Sequence, residues 1–143
     1  MFIGEFQHSL DEKGRLIIPV KLREGLGDRF IATRGLDDCV FIYPLPEWEA
    51  LQQKLKVLPS TKADARAFMR FFFSGAAECE LDRQGRTLIP AALREYARLE
   101  RDVVITGVSS RVEIWSAEAW QKYRQETGEN IAVIAEKIMD LEL

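Results

Sequence analysis

Asp11-Glu-Lys-Gly-Arg15, with the apolar run Leu16-Ile-Ile-Pro19 behind it, is written a second time as Asp82-Arg-Gln-Gly-Arg86 followed by Thr87-Leu-Ile-Pro90. At an offset of 71, segments 4–24 and 75–95 share Gly, Leu, Asp, Gly, Arg, Ile, Pro, Leu, Arg and Glu at matching places. Self-similarity at a fixed period marks an internal duplication. In each copy the Asp can bond the backbone two residues on, and the Gly can take positive φ without a Cβ penalty. Each stretch therefore reads as a tight turn between two strands, and the chain as two related units.

Outward from the first turn, Phe2, Gly4, Phe6, His8 and Leu10 alternate with Ile3, Glu5, Gln7 and Ser9, the period of a strand with one mostly apolar face. A hairpin is the natural reading, with Leu16 to Ile18 pairing back. Pro19 pre-sets φ for a short helix through Leu22 and Leu26, which Gly25 and Gly27 end. Strands are expected at 28–33 and 39–43. Pro44 and Pro46 then open a helix carrying Trp48, Leu51, Leu55 and Leu58. Beyond Pro59-Ser60, a further helix places Ala65, Phe68, Met69 and Phe72 on one face, and Phe71-Phe72-Phe73 reads as core between the units.

The second unit repeats the plan, with strands at 75–81, 86–89, 102–106 and 111–115, a helix from Pro90 and another at 116–126. Trp48 and Trp120 match across the repeats. Gly128 precedes a last helix, 129–141, whose Ile131, Ile134, Ile138 and Leu141 form one stripe. The division is a first unit at 1–58, a connecting helix at 59–74, a second unit at 75–126 and a C-terminal amphipathic helix at 127–143.

Units of about 70 residues have thin cores by themselves, so the halves must share a core or pack on one another. Of the 143 residues 30% are charged and 47% hydrophobic, values of a soluble globular protein. No apolar run approaches the ~18 residues of a membrane span, and the N-terminus reads straight into a strand, so a cytosolic protein without membrane partners is expected. Cys39 and Cys79 form no C-x-x-C pair and His8 is the only histidine, which leaves neither a zinc site nor a disulfide framework. Two buried thiols and a hydrogen-bonded core His8, not a ligand, are the expectation, with no metal and no cofactor.

A formal charge of −3 argues against a protein that coats nucleic acid indiscriminately. Any such contact has to be local. Asp82 to Arg101 holds five arginines against three acids, whereas Glu113 to Leu143 holds seven acids against three bases.

Asp11 and Asp82 lack a neighbouring nucleophile, second acid or ligand set, so they are read as turn-forming residues that orient the arginine four positions on, and the chain as no enzyme. Gly14 and Gly85 complete the turns. Arg15 and Arg86 are the sharper residues: either each guanidinium stays in an ion pair within its turn, or it is projected to a phosphate or the O6/N7 edge of a guanine. Lys13 and Arg83 flank them, and Arg23 and Arg94 match on the Pro-initiated helices, a cluster that could meet several phosphates. The copies are unequal, because Glu12 answers Arg83 and Lys13 answers Gln84.

The paired D-x-x-G-R turns, each before an Ile-Pro helix start, resemble the SpoVT-AbrB family of swapped-hairpin DNA-binding domains. Two units in one chain that opens Met1-Phe-Ile-Gly-Glu-Phe resemble the bacterial transcriptional regulators built on a duplicated unit. The resemblance implies an α+β, mostly β fold of two tandem swapped-hairpin units, forming small β-barrel cores with flanking helices. It implies that Arg15 and Arg86 contact double-stranded DNA; Lys13 and Arg83 are read as flanking contacts, and the low charge of one chain points to short repeated promoter boxes met by linked copies. The resemblance further implies a nucleoid-associated, ring-like homo-oligomer, octamer-like, that represses its own promoter and a division and cell-wall gene cluster. The alternative is an antitoxin-like module of the same fold whose main partner is another protein.

Overall fold

The duplication has a structural counterpart in the order of elements. The computed structural model describes residues 1–138. They form β1 (Glu5–Ser9), β2 (Arg15–Ile17), α1 (Val20–Leu26), β3 (Arg29–Arg34), β4 (Val40–Pro44), α2 (Leu45–Leu55), α3 (Ala63–Ser74), β5 (Ala77–Glu80), β6 (Arg86–Leu88), α4 (Ala91–Tyr96), β7 (Asp102–Val108), β8 (Arg111–Ser116), α5 (Ala117–Gly128) and α6 (Ile131–Lys137). The fold is α+β, with a β-β-α-β-β-α plan run twice and α3 between the copies.

The strands are exchanged between the repeats. One antiparallel sheet runs β1-β7-β8-β4-β3-β5, so the first strand of each repeat lies along the later hairpin of the other. The expected hairpin between the first two strands closes only beside its turn, where the Asp11 N–H donates to the Arg15 carbonyl at 2.9 Å and Leu10 bridges Leu16. Beyond that point β2 leaves β1 and pairs with β6. Alternation fixes which face of a strand is buried, but not which strand it pairs with.

Two ladder contacts join a residue to its own counterpart. Leu16 faces Thr87, 71 positions on, and at the sheet centre Phe41 faces Glu113. Antiparallel pairing of equivalent residues places a local twofold through both contacts. Leu16, Ile18, Leu22, Phe30 and Ile42 accordingly pack in one core with Ile89, Leu93, Val103, Ile105 and Ile114 of the second repeat. Sharing solves the surface-to-volume problem that either half would face by itself.

All five residues of β4 are buried, because both faces of the sheet are covered. Val40 and Ile42 point to the shared core beneath the β2–β6 ribbon and helices α1 and α4, while Phe41 and Tyr43 point to the opposite face. There Trp48 of α2 stacks on Phe72 of α3 at 5.5 Å, and Phe68 on Phe72 at 5.4 Å. Trp115 of the second repeat joins this aromatic cluster. Trp120, the counterpart of Trp48, packs edge-on against Trp115 at 5.3 Å.

Cys39 and Cys79 are buried and unpaired, and burial pushes both thiols up, Cys79 to about 11. His8 is half-buried on β1. α6 is shorter than the apolar stripe suggested: it buries no residue, Ile131 and Ile138 are 60% and 54% exposed, and Leu141 lies outside the described residues.

Candidate nucleic-acid interface

The two D-x-x-G-R stretches form matching turns at the two ends of the β2–β6 ribbon. In the first, Asp11 Oδ1 accepts from the backbone N–H groups of Lys13 and Arg15, both at 2.9 Å, while Oδ2 accepts from Arg15 Nε at 2.6 Å. In the second, Asp82 accepts from the N–H groups of Gln84 and Arg86 at 2.9 Å and from Arg86 Nε at 2.8 Å. A carboxylate held by several donors stays ionised at unusually low pH. The Arg15 N–H foremost, then the Arg15 side chain and the Lys13 N–H, hold the Asp11 carboxyl at about 2, and the corresponding bonds lower Asp82.

The ion pair and an outward contact, which the sequence leaves as alternatives, are compatible. Each aspartate takes only the Nε–H of its arginine, and among the described residues no hydrogen bond engages the terminal Nη groups of Arg15 or Arg86. Both side chains are about one-third exposed. Each guanidinium is thus fixed at one edge and open at the other, with less rotamer freedom left to lose when a ligand binds.

Gly14 and Gly85 take φ values of +85° and +76°. Both are buried, and what covers them comes from the other repeat. The Arg94 guanidinium lies against Gly14 and that of Arg23 against Gly85. Arg23 Nε donates to the Ile18 carbonyl at 2.7 Å and Arg94 Nε to Ile89 at 2.9 Å. The Ile18 and Ile89 N–H groups in turn donate to the carbonyls of Gly85 and Gly14. Arg23 and Arg94 therefore brace the opposite turn, each through its Nε bond and the face of its guanidinium. Their identity at matched positions was visible in the sequence, but their partners depend on the strand exchange.

Lys13 and Arg83 are exposed at the turn tips, Lys13 beside Arg15 and Arg83 beside Arg86 in sequence. The ribbon register, Arg15↔Leu88 and Ile17↔Arg86, puts all four of these ladder side chains on its outer face, with Leu16 and Thr87 buried on the inner one. Arg15 and Arg86 are diagonal neighbours, roughly 7–8 Å apart at Cα. The exposed apolar pair Ile17 and Leu88 has no signal in the sequence, where both positions sit in an apparently core-forming run. Among the described residues no cluster of His, Cys, Asp and Glu could hold a metal ion, and no helix is long and apolar enough to cross a membrane.

Comparison with known proteins agrees with the duplicated plan. The family model described as "MraZ protein, putative antitoxin-like" matches twice, over residues 1–71 and 72–141. A protein of Pelotomaculum thermopropionicum named transcriptional regulator MraZ is 66% identical over 143 residues, covering 100% of this chain and 99% of its own. Proteins of the same name from Desulforamulus reducens and Natranaerobius thermophilus are 61% and 60% identical, the first covering 99% of both chains and the second 100% of both.

Proposed function

Because the chain belongs to the MraZ family, we propose that it is a sequence-specific DNA-binding transcriptional regulator whose two arginine turns act as one reading unit. The observation that carries this is the common outward face of Arg15 and Arg86 on the β2–β6 ribbon, each arginine held by an aspartate and open at its Nη edge. A planar donor fork so placed suits a phosphate or the O6/N7 edge of guanine. Lys13 and Arg83 add phosphate contacts at the tips, the first turn gaining more from Lys13 than the second from Gln84.

With a net charge of −3 and two such turns, one chain neutralises few phosphates. Useful affinity then comes from linked copies, which meet further sites at high effective concentration and gain roughly 10²–10⁴ without new contacts. This favours a ring-like homo-oligomer on short repeated promoter boxes, working in the cytoplasm at the nucleoid. The expected targets are its own promoter and a division and cell-wall gene cluster, under repression. A mobility-shift competition with the DNA upstream of its own gene tests the reading: a selective shift supports it, and equal competition by unrelated DNA overturns it. The antitoxin-like wording of the family description keeps one rival, a protein as main partner. A stoichiometric heterologous partner, together with absence of the selective shift, would favour that rival.

A further inference from the structure

Ile17 and Leu88 are 47% and 55% exposed. Single exposed apolar residues are common and need no explanation. These two are not scattered, because the register of a three-pair ribbon fixes their surroundings. Across the ladder Ile17 faces Arg86 and Leu88 faces Arg15, and along each strand the same types alternate again, Arg15 with Ile17 and Arg86 with Leu88. The outer face is therefore a quadrilateral whose corners alternate between a guanidinium and an aliphatic side chain. The local twofold at Leu16↔Thr87 exchanges one half of it with the other.

The occupant is constrained by the charge around this apolar pair. A second copy of the chain docking here would bury Arg15 and Arg86, and because the two turns carry four cations against the three acids Asp11, Glu12 and Asp82, it would bring together faces of the same net sign, which disfavours association. A polyanion meets the opposite situation. The major groove, about 12 Å wide, admits a two-stranded ribbon without deformation, whereas the minor groove, about 6 Å wide, has to be opened first. On the floor of the major groove guanine offers the acceptors that an arginine reads, and thymine offers the C5 methyl, the apolar group there.

We propose that Ile17 and Leu88 are specificity-determining residues that pack against thymine methyl groups in the major groove while Arg15 and Arg86 engage the neighbouring bases or phosphates. This rests on the DNA-binding reading above and assigns it a base preference. Each chain then favours a short site in which thymines alternate with arginine-contacted positions about a local dyad. The dyad need not be perfect, since isoleucine and leucine differ in shape and the turn tips differ in charge.

The probe is the promoter fragment upstream of the protein's own gene, prepared once with thymidine and once by polymerase synthesis with deoxyuridine in its place, which deletes only the methyl groups. Wild-type affinity should fall by about four-fold for each contacted methyl lost, the equivalent of one buried methylene. An Ile17→Ala/Leu88→Ala variant, shown to melt and to assemble as wild type, should bind the thymidine fragment more weakly and no longer distinguish the two. Single thymine-to-uracil replacements read with wild-type protein need no variant, and the loss should concentrate at a few positions. Equal wild-type affinity for both fragments overturns the proposal, as does a variant that keeps the wild-type ratio or one whose defect is in assembly with that ratio intact. Failure of wild type to bind either fragment selectively would instead remove the DNA-binding reading itself.

Discussion

The guanidinium of Arg94 lies across Gly14, the turn glycine of the other repeat, so closely that a Cβ built on Gly14 would come to 2.5 Å from Arg94 Cζ. Arg23 covers Gly85 in the same way. Each arginine turn is thereby shaped by both repeats. A substitution there meets two penalties, positive φ and lost space, so Gly14→Val or Gly85→Val should destabilise by more than the ~1 kcal/mol of a mild surface change. Denaturant unfolding measures this, and a Gly14→Val protein as stable as wild type would show that the turn can relax away from Arg94.

Arg94→Ala separates bracing from phosphate contact. Loss of a side chain that bonds the Ile89 carbonyl and covers Gly14 should cost about 1–2 kcal/mol of stability and weaken DNA binding through a loosened first turn. The salt dependence of binding should keep its slope, whereas Lys13→Ala should reduce that slope by about 1. A reduced slope for Arg94→Ala would place it on a phosphate after all.

The turn aspartates predict how stability responds to acid. A carboxyl whose folded pKa is depressed contributes stability that is present above its unfolded pKa and lost as pH falls through the folded value. For Asp11 the window runs from the ordinary 3.8 down to about 2. Asp11→Asn should therefore be less stable than wild type at about pH 7, and the difference should shrink between about pH 4 and pH 2. Urea midpoints across that range check it; a constant difference would mean that the carboxylate charge contributes nothing to the turn.

Much of this was legible in the chain because local chemistry dictated it. The D-x-x-G-R spacing specified the turns, and glycine at positive φ with aspartate on the following N–H groups is what appears. Pro19 and Pro90 mark the starts of α1 and α4, but as N-cap residues with extended ψ, one position before the first helical residue. Pairing across the repeats was not legible. Leu16-Ile-Ile carries the same pattern whether it pairs with β1 or with β6, and only the second choice leaves Ile17 outside beside Arg86. For the same reason Arg23 and Arg94 looked like surface cations. Their partners lie 62 and 80 positions away, at Gly85 and Gly14.

Linked binding predicts a phase dependence. Boxes about one helical turn apart, ~10 bp, present the same face to one assembly. Inserting about five base pairs between two boxes should lower affinity towards that of a single box, and inserting about ten should restore much of it. Equal affinity for one box, in-phase boxes and out-of-phase boxes at the same salt would show that each chain reads DNA by itself.

The most direct measurement is the affinity of wild type, Arg15→Ala, Arg86→Ala and the double variant for the DNA upstream of the protein's own gene, at one salt concentration and with melting temperatures recorded alongside. Each single change should cost about 1–3 kcal/mol of binding per chain. The double variant should bind this DNA no better than unrelated sequence, and all four proteins should melt within a few degrees of one another, since each change removes only a partly exposed Nε bond to its aspartate, an ion pair of small net worth, and leaves the backbone bonds of the turn in place. A folded double variant that binds the promoter as tightly and as selectively as wild type would contradict the assignment of the paired arginine turns as the DNA-reading unit.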